Sequence, residues 1–420
     1  MPGERSSARI PKRAIIRTYQ VGFGDCFLLT FQYPNFERHI LIDFGSTGYP
    51  EGEEDLLNKI AESIQQRTGG KLHMVVATHR HQDHIKGFGL AKAGKIIRKL
   101  EPDVVVQPWT EDPDIPIDAS APVSRRRRNL ANMNLAAERL FDEGQFGKIE
   151  HLRQSAPQQF AESMFAELKF IGEDNIKNKK AVEALIEMGK AGKAKFVHAK
   201  EKLRVKNIIP GVDIDVLGPP TVEQYGEITS MRRWDDDEFW PLQAAAAQGV
   251  ENALDPFPDE KNEDESFDTR WLAGRLRGIR LDALLRIVRA LDREMNNTSL
   301  ILLFKAQDKS FLFPGDAQIE NWEFALRNEE VLNKLAKVDV YKVGHHGSTN
   351  ATPQTLWKQF SRKGGKRKRN RLTSILSTLE GKHHHVPRES LLGELSRKSN
   401  LVWTETFERK QLFEETIIEL

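Results

Sequence analysis

Four residues within six positions could do chemistry together: His79, His81, Asp83 and His84, in the stretch KLHMVVATHRHQDHIKGFG. Imidazole nitrogens and a carboxylate, with no thiolate, suit Zn²⁺ and tolerate Mn²⁺ or Fe²⁺. His79-x-His81 at the end of a strand puts both rings on one side, where they can share a metal. The Asp83-His84 pair turns away to a second position. Two metals ~3.5–4 Å apart can hold a bridging hydroxide, and bound water has a pKa of ~7 in place of ~15.7. The bland alternative is a polar turn in which Asp83 caps the following helix.

One turn cannot complete such a centre, so other strand ends must contribute. Asp43 ends the run ILID, Asp316 ends FLFPGD, and His345 or His346 ends VYKVGHH. Asp316 could instead be a helix N-cap, and either histidine of the pair could simply support the other. A third group, His383 to His385, reads as a solvated loop or as a further part of the site. Eight of the 12 histidines fall in these three clusters. Clustered imidazoles repel when protonated, so they usually face a metal or an anion.

The elements that must hold these residues follow from the apolar pattern. Ile15 to Gln20, Cys26 to Gln32 and Ile40 to Asp43 read as strands, the second buried on both faces. Leu56, Leu57, Ile60 and Ile64 repeat at helical spacing and Gly69-Gly70 ends that helix. A helix near 90–99 and a strand at Val104 to Gln107 follow. After Ser299 come strands at 299–304, 310–313, 338–343, 372–377, 401–406 and 416–420, with helices predicted from Ile319 to Leu335 and from Ser390 to Arg397. This alternation is a layered α/β architecture.

Residues 110 to 290 differ. They are charged, with helical patterns near 128–142, 157–170, 180–192 and 279–294, an acidic loop at 255–268, and one core-like strand, Val212 to Gly218. Two basic runs, Arg125 to Arg128 and Lys363 to Arg371, read as solvated loops. A phosphate-backbone contact near the metal site is the alternative, though no aromatics interleave with them.

Composition bounds the rest. The chain has 420 residues, a net charge of +2 and 30% charged residues. That balance argues against a dedicated nucleic-acid-coating protein. Mean hydropathy is −0.54, and no stretch reaches the ~18 apolar residues of a spanning helix. The segment MPGERSSARIPKR has no apolar core after it and does not read as a secretory signal. A single cysteine, Cys26, excludes an internal disulfide framework and fits a reducing compartment. Cytoplasm is the expected location.

The motif His79-x-His81-x-Asp83-His84 resembles the signature of the metallo-β-lactamase superfamily. The order LIDFG, HRHQDHIKG, NNTSLILL, FPGD, VGHHGS and HHHVP is similar too. VGFGDC, NNTSL and HHGS look closest to the hydrolase-like domain of bacterial competence DNA-uptake proteins, and to related choline-phosphate esterases. The resemblance covers 14–109 and 297–420 well and the middle poorly.

The resemblance implies an αβ/βα four-layer sandwich with a large helical insertion. Residues 1–109 and 297–420 would be its halves and 110–296 the insertion. It implies one or two Zn²⁺ ions, with His79 and His81 on the first metal. Asp83, His84 and one of His345/His346 would hold the second, and Asp316 would bridge. Asp43 would orient the metal-binding loop. His384 or a neighbour would touch a substrate oxygen or assist the leaving group. Many members place a third histidine for the first metal where this chain reads Met295-Asn296-Asn297-Thr298, so Asn297 is expected only in a supporting role.

The expected activity is metal-dependent hydrolysis by a metal-bound hydroxide, with Asp83 and His384 in catalytic roles. A phosphodiester or nucleic-acid-like substrate is the first expectation. A small carboxylic ester, lactone or amide is the alternative. The third reading is a non-catalytic relative that binds a protein partner through its insert. No membrane association is expected.

Overall fold

The computed structural model describes residues 9–113, 178–221, 224–225, 295–348, 350–379, 381–382, 386–408 and 410–420. The expected helices near 128–142, 157–170 and 279–294, the acidic loop, Arg125 to Arg128 and His383 to His385 lie outside the described residues. The chain divides into two compact units. One comprises residues 1–111, 179–244 and 296–420; the other comprises 112–178 and 245–295. The elements described below all belong to the first.

The elements run β1 (Arg13–Tyr19), β2 (Phe27–Gln32), β3 (Glu37–Ile42), α1 (Leu56–Arg67), β4 (Met74–Val76), α2 (Gln82–Gly89), α3 (Ala93–Lys99) and β5 (Val104–Pro108). Next come α4 (Lys179–Gly189), β6 (Ala194–Val197), β7 (Val212–Gly218), β8 (Ile301–Ala306), β9 (Lys309–Phe313), α5 (Ile319–Leu326) and α6 (Glu329–Leu335). Last are β10 (Val340–Lys342), α7 (Gln354–Gln359), β11 (Thr373–Leu376), α8 (Glu389–Lys398), β12 (Asn400–Trp403) and β13 (Phe413–Glu419). Among the described residues, no helix is long and apolar enough to cross a membrane.

The strands form two mixed sheets, ordered β13-β1-β2-β3-β4-β5-β6 and β12-β11-β10-β9-β8-β7. Strand β2 shows why its run is apolar throughout. Phe27, Leu29 and Phe31 enter the core between the sheets with Phe304, Phe311 and Phe313. Leu28 faces the other way, into the layer containing Ile60, Ile64, Ile85 and Phe88 of α1 and α2. The second sheet repeats this logic: Leu303, Leu312 and Tyr341 pack on Trp322, Leu335, Trp357 and Leu391. Burying both faces of a sheet needs apolar residues at every position, not an alternation. The result is an α/β sandwich with helices against both outer faces.

Two details differ from the sequence reading, and a third bears on an alternative it left open. The helix expected from Ile319 to Leu335 is two, because Asn328 takes an N-cap conformation and its side chain accepts from the N–H of Glu330 and Val331. A strand not foreseen, β6, joins the first sheet parallel to β5; four residues with only Val197 buried leave too little pattern to read. Thus two strands from the central region, β6 and β7, join the sheets. The basic run 363–371 is rooted away from the histidines. Leu372 N–H donates to Arg362 O and Ser361 N–H to Ala336 O, at the N-terminal ends of β11 and β10.

Candidate metal centre

Parallel pairing of β3, β4 and β5, and of β9, β10 and β11, brings their C-terminal ends to common edges. The candidate residues sit just beyond those ends: Asp43 after β3, His79 and His81 after β4, Asp316 after β9, His345 and His346 after β10. Asp83 and His84 lie in the first turn of α2. Asp25 precedes the antiparallel β2 and so reaches the same edge.

The backbone there is held in unusual conformations. Asp43, His345 and His346 have φ of 56°, 41° and 52°, in the left-handed region that non-glycine residues avoid. Strain of this kind, of order 1–3 kcal/mol per residue, persists where the surroundings over-determine it, and it clusters at functional sites. Close packing enforces the loop positions. A Cβ on Gly45 would stand 2.4 Å from the backbone of Asp83 and His84. Phe44 N–H donates to His84 O (2.6 Å) and Asp25 N–H to Asp83 O (2.8 Å). The loops after β1 and β3 therefore clasp the start of α2.

Asp316 is the hub. Its Oδ2 lies 3.1 Å from Nε2 of His84, 3.8 Å from that of His346, 3.9 Å from that of His345 and 4.0 Å from that of His79. His346 Nε2 is 3.1 Å from Asp83 Oδ2. One ligand atom from each of Asp83, His84, Asp316 and His346 lies within 4.8 Å of the others, and all four residues are buried. His79 packs close by, its ring centre 4.2 Å from the tilted ring of His84 and 4.7 Å from that of His81, which it meets edge-on. His345 stands at the rim, its side chain 29% exposed.

The rear of each ring is fixed. His84 Nδ1 meets Asp43 Oδ2 at 2.8 Å. Asp43 also accepts from Thr78 N–H and Oγ1–H, both at 2.7 Å. His346 Nδ1 donates to Ser377 O at 2.8 Å. His79 Nδ1 lies 3.2 Å from Thr78 Oγ1, which already donates to Asp43 and so accepts here. With Nδ1–H engaged, each ring turns Nε2 toward the interior, as a metal-ligating histidine must. Arg80, between the two histidines, forms a buried pair with Glu111 (2.7 Å) that anchors the turn.

Three groups beside this cluster find no hydrogen-bond partner among the described residues: Nε2 of His79 and His84, and Oδ1 of Asp83. Buried polar atoms are normally satisfied, and each exception calls for an explanation. A metal ion bound by these nitrogen and oxygen donors would satisfy them together. The electrostatics agree. Burial works against charge on Asp316 and Asp83, yet His84 and the neighbouring histidines hold both well below the usual carboxylate range. Burial, with His84 and His81, pushes His79 down. Burial also disfavours charge on His84, but Asp316, Asp83 and Asp43 override it and raise His84 well above an ordinary imidazole.

The residues singled out from sequence separate as follows. Asp83, His84, Asp316 and His346 come together, with His79, His81 and His345 around them and Asp43 behind. Asn297 stands apart from the ligand atoms: its Nδ2 donates to Glu320 Oε2 (3.0 Å) and its carbonyl accepts from Asn321. Its neighbour Ser299 does touch the hub, with Asp316 N–H donating to Ser299 Oγ (3.2 Å). His384 lies outside the described residues.

Sequence reading passed over Asp25, Thr78, Lys342 and Ser377. Lys342 is 1% exposed. Its amine pairs with Asp25 Oδ2, donates to Gly315 O at 3.2 Å and lies 3.6 Å from Asp316 Oδ1. Both had a signal. Asp25 borders an apolar strand, as Asp43 and Asp316 do. Lys342 interrupts the otherwise apolar VYKV.

No family model matches the chain. Two curated proteins resemble part of it. ComE operon protein 3 of Bacillus subtilis is 32% identical over 106 residues, 25% of this chain and 12% of that protein. Recombination protein 2 of Haemophilus influenzae is 32% identical over 105 residues, 24% of this chain and 12% of that protein. The chain thus spans about an eighth of the length of these curated relatives.

Proposed function

We propose that the protein is a metal-dependent hydrolase of the metallo-β-lactamase kind, acting on a phosphodiester or nucleic-acid-like substrate. One observation carries the metal reading. Asp83, His84, Asp316 and His346 are all buried, and one ligand atom of each lies within 4.8 Å of the others. The donor set favours Zn²⁺, with Mn²⁺ or Fe²⁺ as substitutes. Two facing mixed sheets with helices outside are the architecture that the superfamily resemblance implies, which supports the reading.

Asp83, His84, Asp316 and His346 would hold the metal, and His79, His81 and His345 are near enough to extend the site to a second ion. A bound metal supplies Lewis acidity toward water and toward the oxygen of the scissile group. The chain's own residues do the rest. Asp43 and Ser377 fix the rings of His84 and His346. Burial of Asp83, His84, Asp316 and His346 shields the centre from bulk water, while the side chain of His345 stays partly exposed. By the resemblance, His384 or a neighbour would act on a substrate oxygen or the leaving group.

The substrate class rests on the segments VGFGDC, NNTSL and HHGS and their similarity to competence DNA-uptake proteins. One partial relative is also named for recombination. The basic run 363–371 does not add to this, being rooted at the far end of its strands. The test is a panel of bis-p-nitrophenyl phosphate, plasmid DNA and simple esters with metal-replete protein. Turnover of esters alone would replace the phosphodiester reading with the ester one. Less than one equivalent of bound transition metal would remove the enzyme reading and leave a binding protein.

A further inference from the structure

Lys342 is the one buried lysine among the described residues. It is placed where a cation would otherwise be needed. Asp25, Asp43 and His84 bring one ligand atom each within 4.8 Å of one another and are all buried, so on donor chemistry alone this group resembles a second cation site. The Lys342 amine already lies against Asp25 Oδ2. A buried ammonium is tolerated only when paired and hydrogen-bonded, and Asp25, Gly315 O and Asp316 provide that.

The amine also divides the two oxygens of Asp316. Oδ1 faces Lys342 at 3.6 Å, while Oδ2 faces the imidazoles of His79, His84, His345 and His346. Asp25 meanwhile reaches behind two of those rings, 3.6 Å from His84 Nδ1 and 3.8 Å from His346 Nδ1. The Lys342–Asp25 pair is thus connected to three of the four candidate ligands without itself facing the ligand space.

We infer that Lys342 is a positioning residue of the metal centre. Its amine is a built-in cation that fills the Asp25/Asp43/His84 group and turns Asp316 so that only Oδ2 is presented to the metal. This rests on the metal part of the proposed function and not on the substrate. It assigns metal to the Asp83/His84/Asp316/His346 side and none to the Asp25 side. A pair that merely supported the fold would leave metal binding unchanged once folding was preserved.

The test uses the full chain and Zn²⁺ alone. The charge-neutral double variant Lys342→Met/Asp25→Asn removes the amine without leaving a bare buried charge. We expect it to fold, by circular dichroism, and to bind Zn²⁺ about ten- to a hundredfold more weakly in competition with a chromophoric chelator. Folded double variant with Zn²⁺ affinity within about threefold of wild type would overturn the inference. A second measurement stands if the variant does not fold. The buried amine of wild-type protein should give a slowly exchanging ¹⁵N ammonium signal that shifts on saturation with Zn²⁺; an unshifted signal overturns the inference. Wild-type protein that takes up no Zn²⁺ sinks the metal reading and this inference together, whereas bound zinc with an unshifted signal sinks Lys342 alone.

Discussion

His84 Nε2 and Asp316 Oδ2 stand 3.1 Å apart in a fully buried space, and His84 has its other nitrogen engaged by Asp43 (2.8 Å). A neutral ring with Nδ1–H on Asp43 would point a lone pair at a carboxylate. Something positive must lie between them, a proton or a metal ion. Without metal, the surrounding carboxylates keep the proton, which is why His84 is raised well above an ordinary imidazole. Metal binding must displace it. Calorimetry of Zn²⁺ binding at neutral pH should therefore show heats that depend on the ionisation enthalpy of the buffer, corresponding to release of about one proton or more. Buffer-independent heats would mean that His84 is not a ligand.

Asp83→Ala is expected to lower turnover at least ~1,000-fold, the scale of losing a group that acts in the transition state. Asp83 touches His346 (3.1 Å) and its Oδ1 has no hydrogen-bond partner among the described residues. On the proposed function its removal takes away a metal ligand and not a packing contact, so circular dichroism should be unchanged. An active, folded variant would place the reaction elsewhere.

Asp43→Asn separates charge from shape. Asparagine tolerates the left-handed φ of 56° at this position and keeps an oxygen for Thr78. It loses the carboxylate that orients His84. Metal affinity should fall about 10- to 100-fold, with the metal-free protein still folded. Unchanged affinity would show that Thr78 and packing suffice to orient the ring.

Gly45→Ala is expected to be among the most damaging small substitutions. The added methyl would meet the backbone of Asp83 and His84 at 2.4 Å, and neither loop can retreat without breaking the Phe44–His84 and Asp25–Asp83 bonds. A loss of more than ~2 kcal/mol in a denaturant titration is expected. A shift within ~0.5 kcal/mol would contradict the clasp.

Acid sensitivity should come from a second place. His39 and His73 are pushed down to about 4, chiefly by burial, with Arg67 beside His39 and Arg38 beside His73. His73 Nδ1 accepts from the His39 N–H (3.1 Å), a bond that protonation would break. The unfolded chain takes up these protons near ~6.5 and the folded one only near ~4. Their stability is whole above ~6.5 and declines as pH falls toward ~4. The melting temperature should drop between pH 7 and 5, and less so in His73→Gln. A flat wild-type profile over that range would refute this.

Much of the centre was legible before any fold was known. His79, His81, Asp83 and His84 are close in sequence, and a strand-to-turn-to-helix reading already predicts that they face one place. Asp43, Asp316 and the histidine pair could be nominated because a polar ligand at the end of an apolar run is conspicuous. The parallel strands then had to supply a common edge.

Tertiary structure decided what pattern cannot carry. Choosing His346 for the buried group and His345 for the rim depends on two left-handed backbone positions, which the letters HH do not encode. Asp25 and Lys342 are 317 residues apart and meet only because β2 begins at the edge where β10 ends. Burial without a partner is prohibitive for either charge, and sequence could mark each as a polar residue at an apolar run without showing that they pair. Periodicity records which face of an element is buried. It does not record which distant charge will be waiting there.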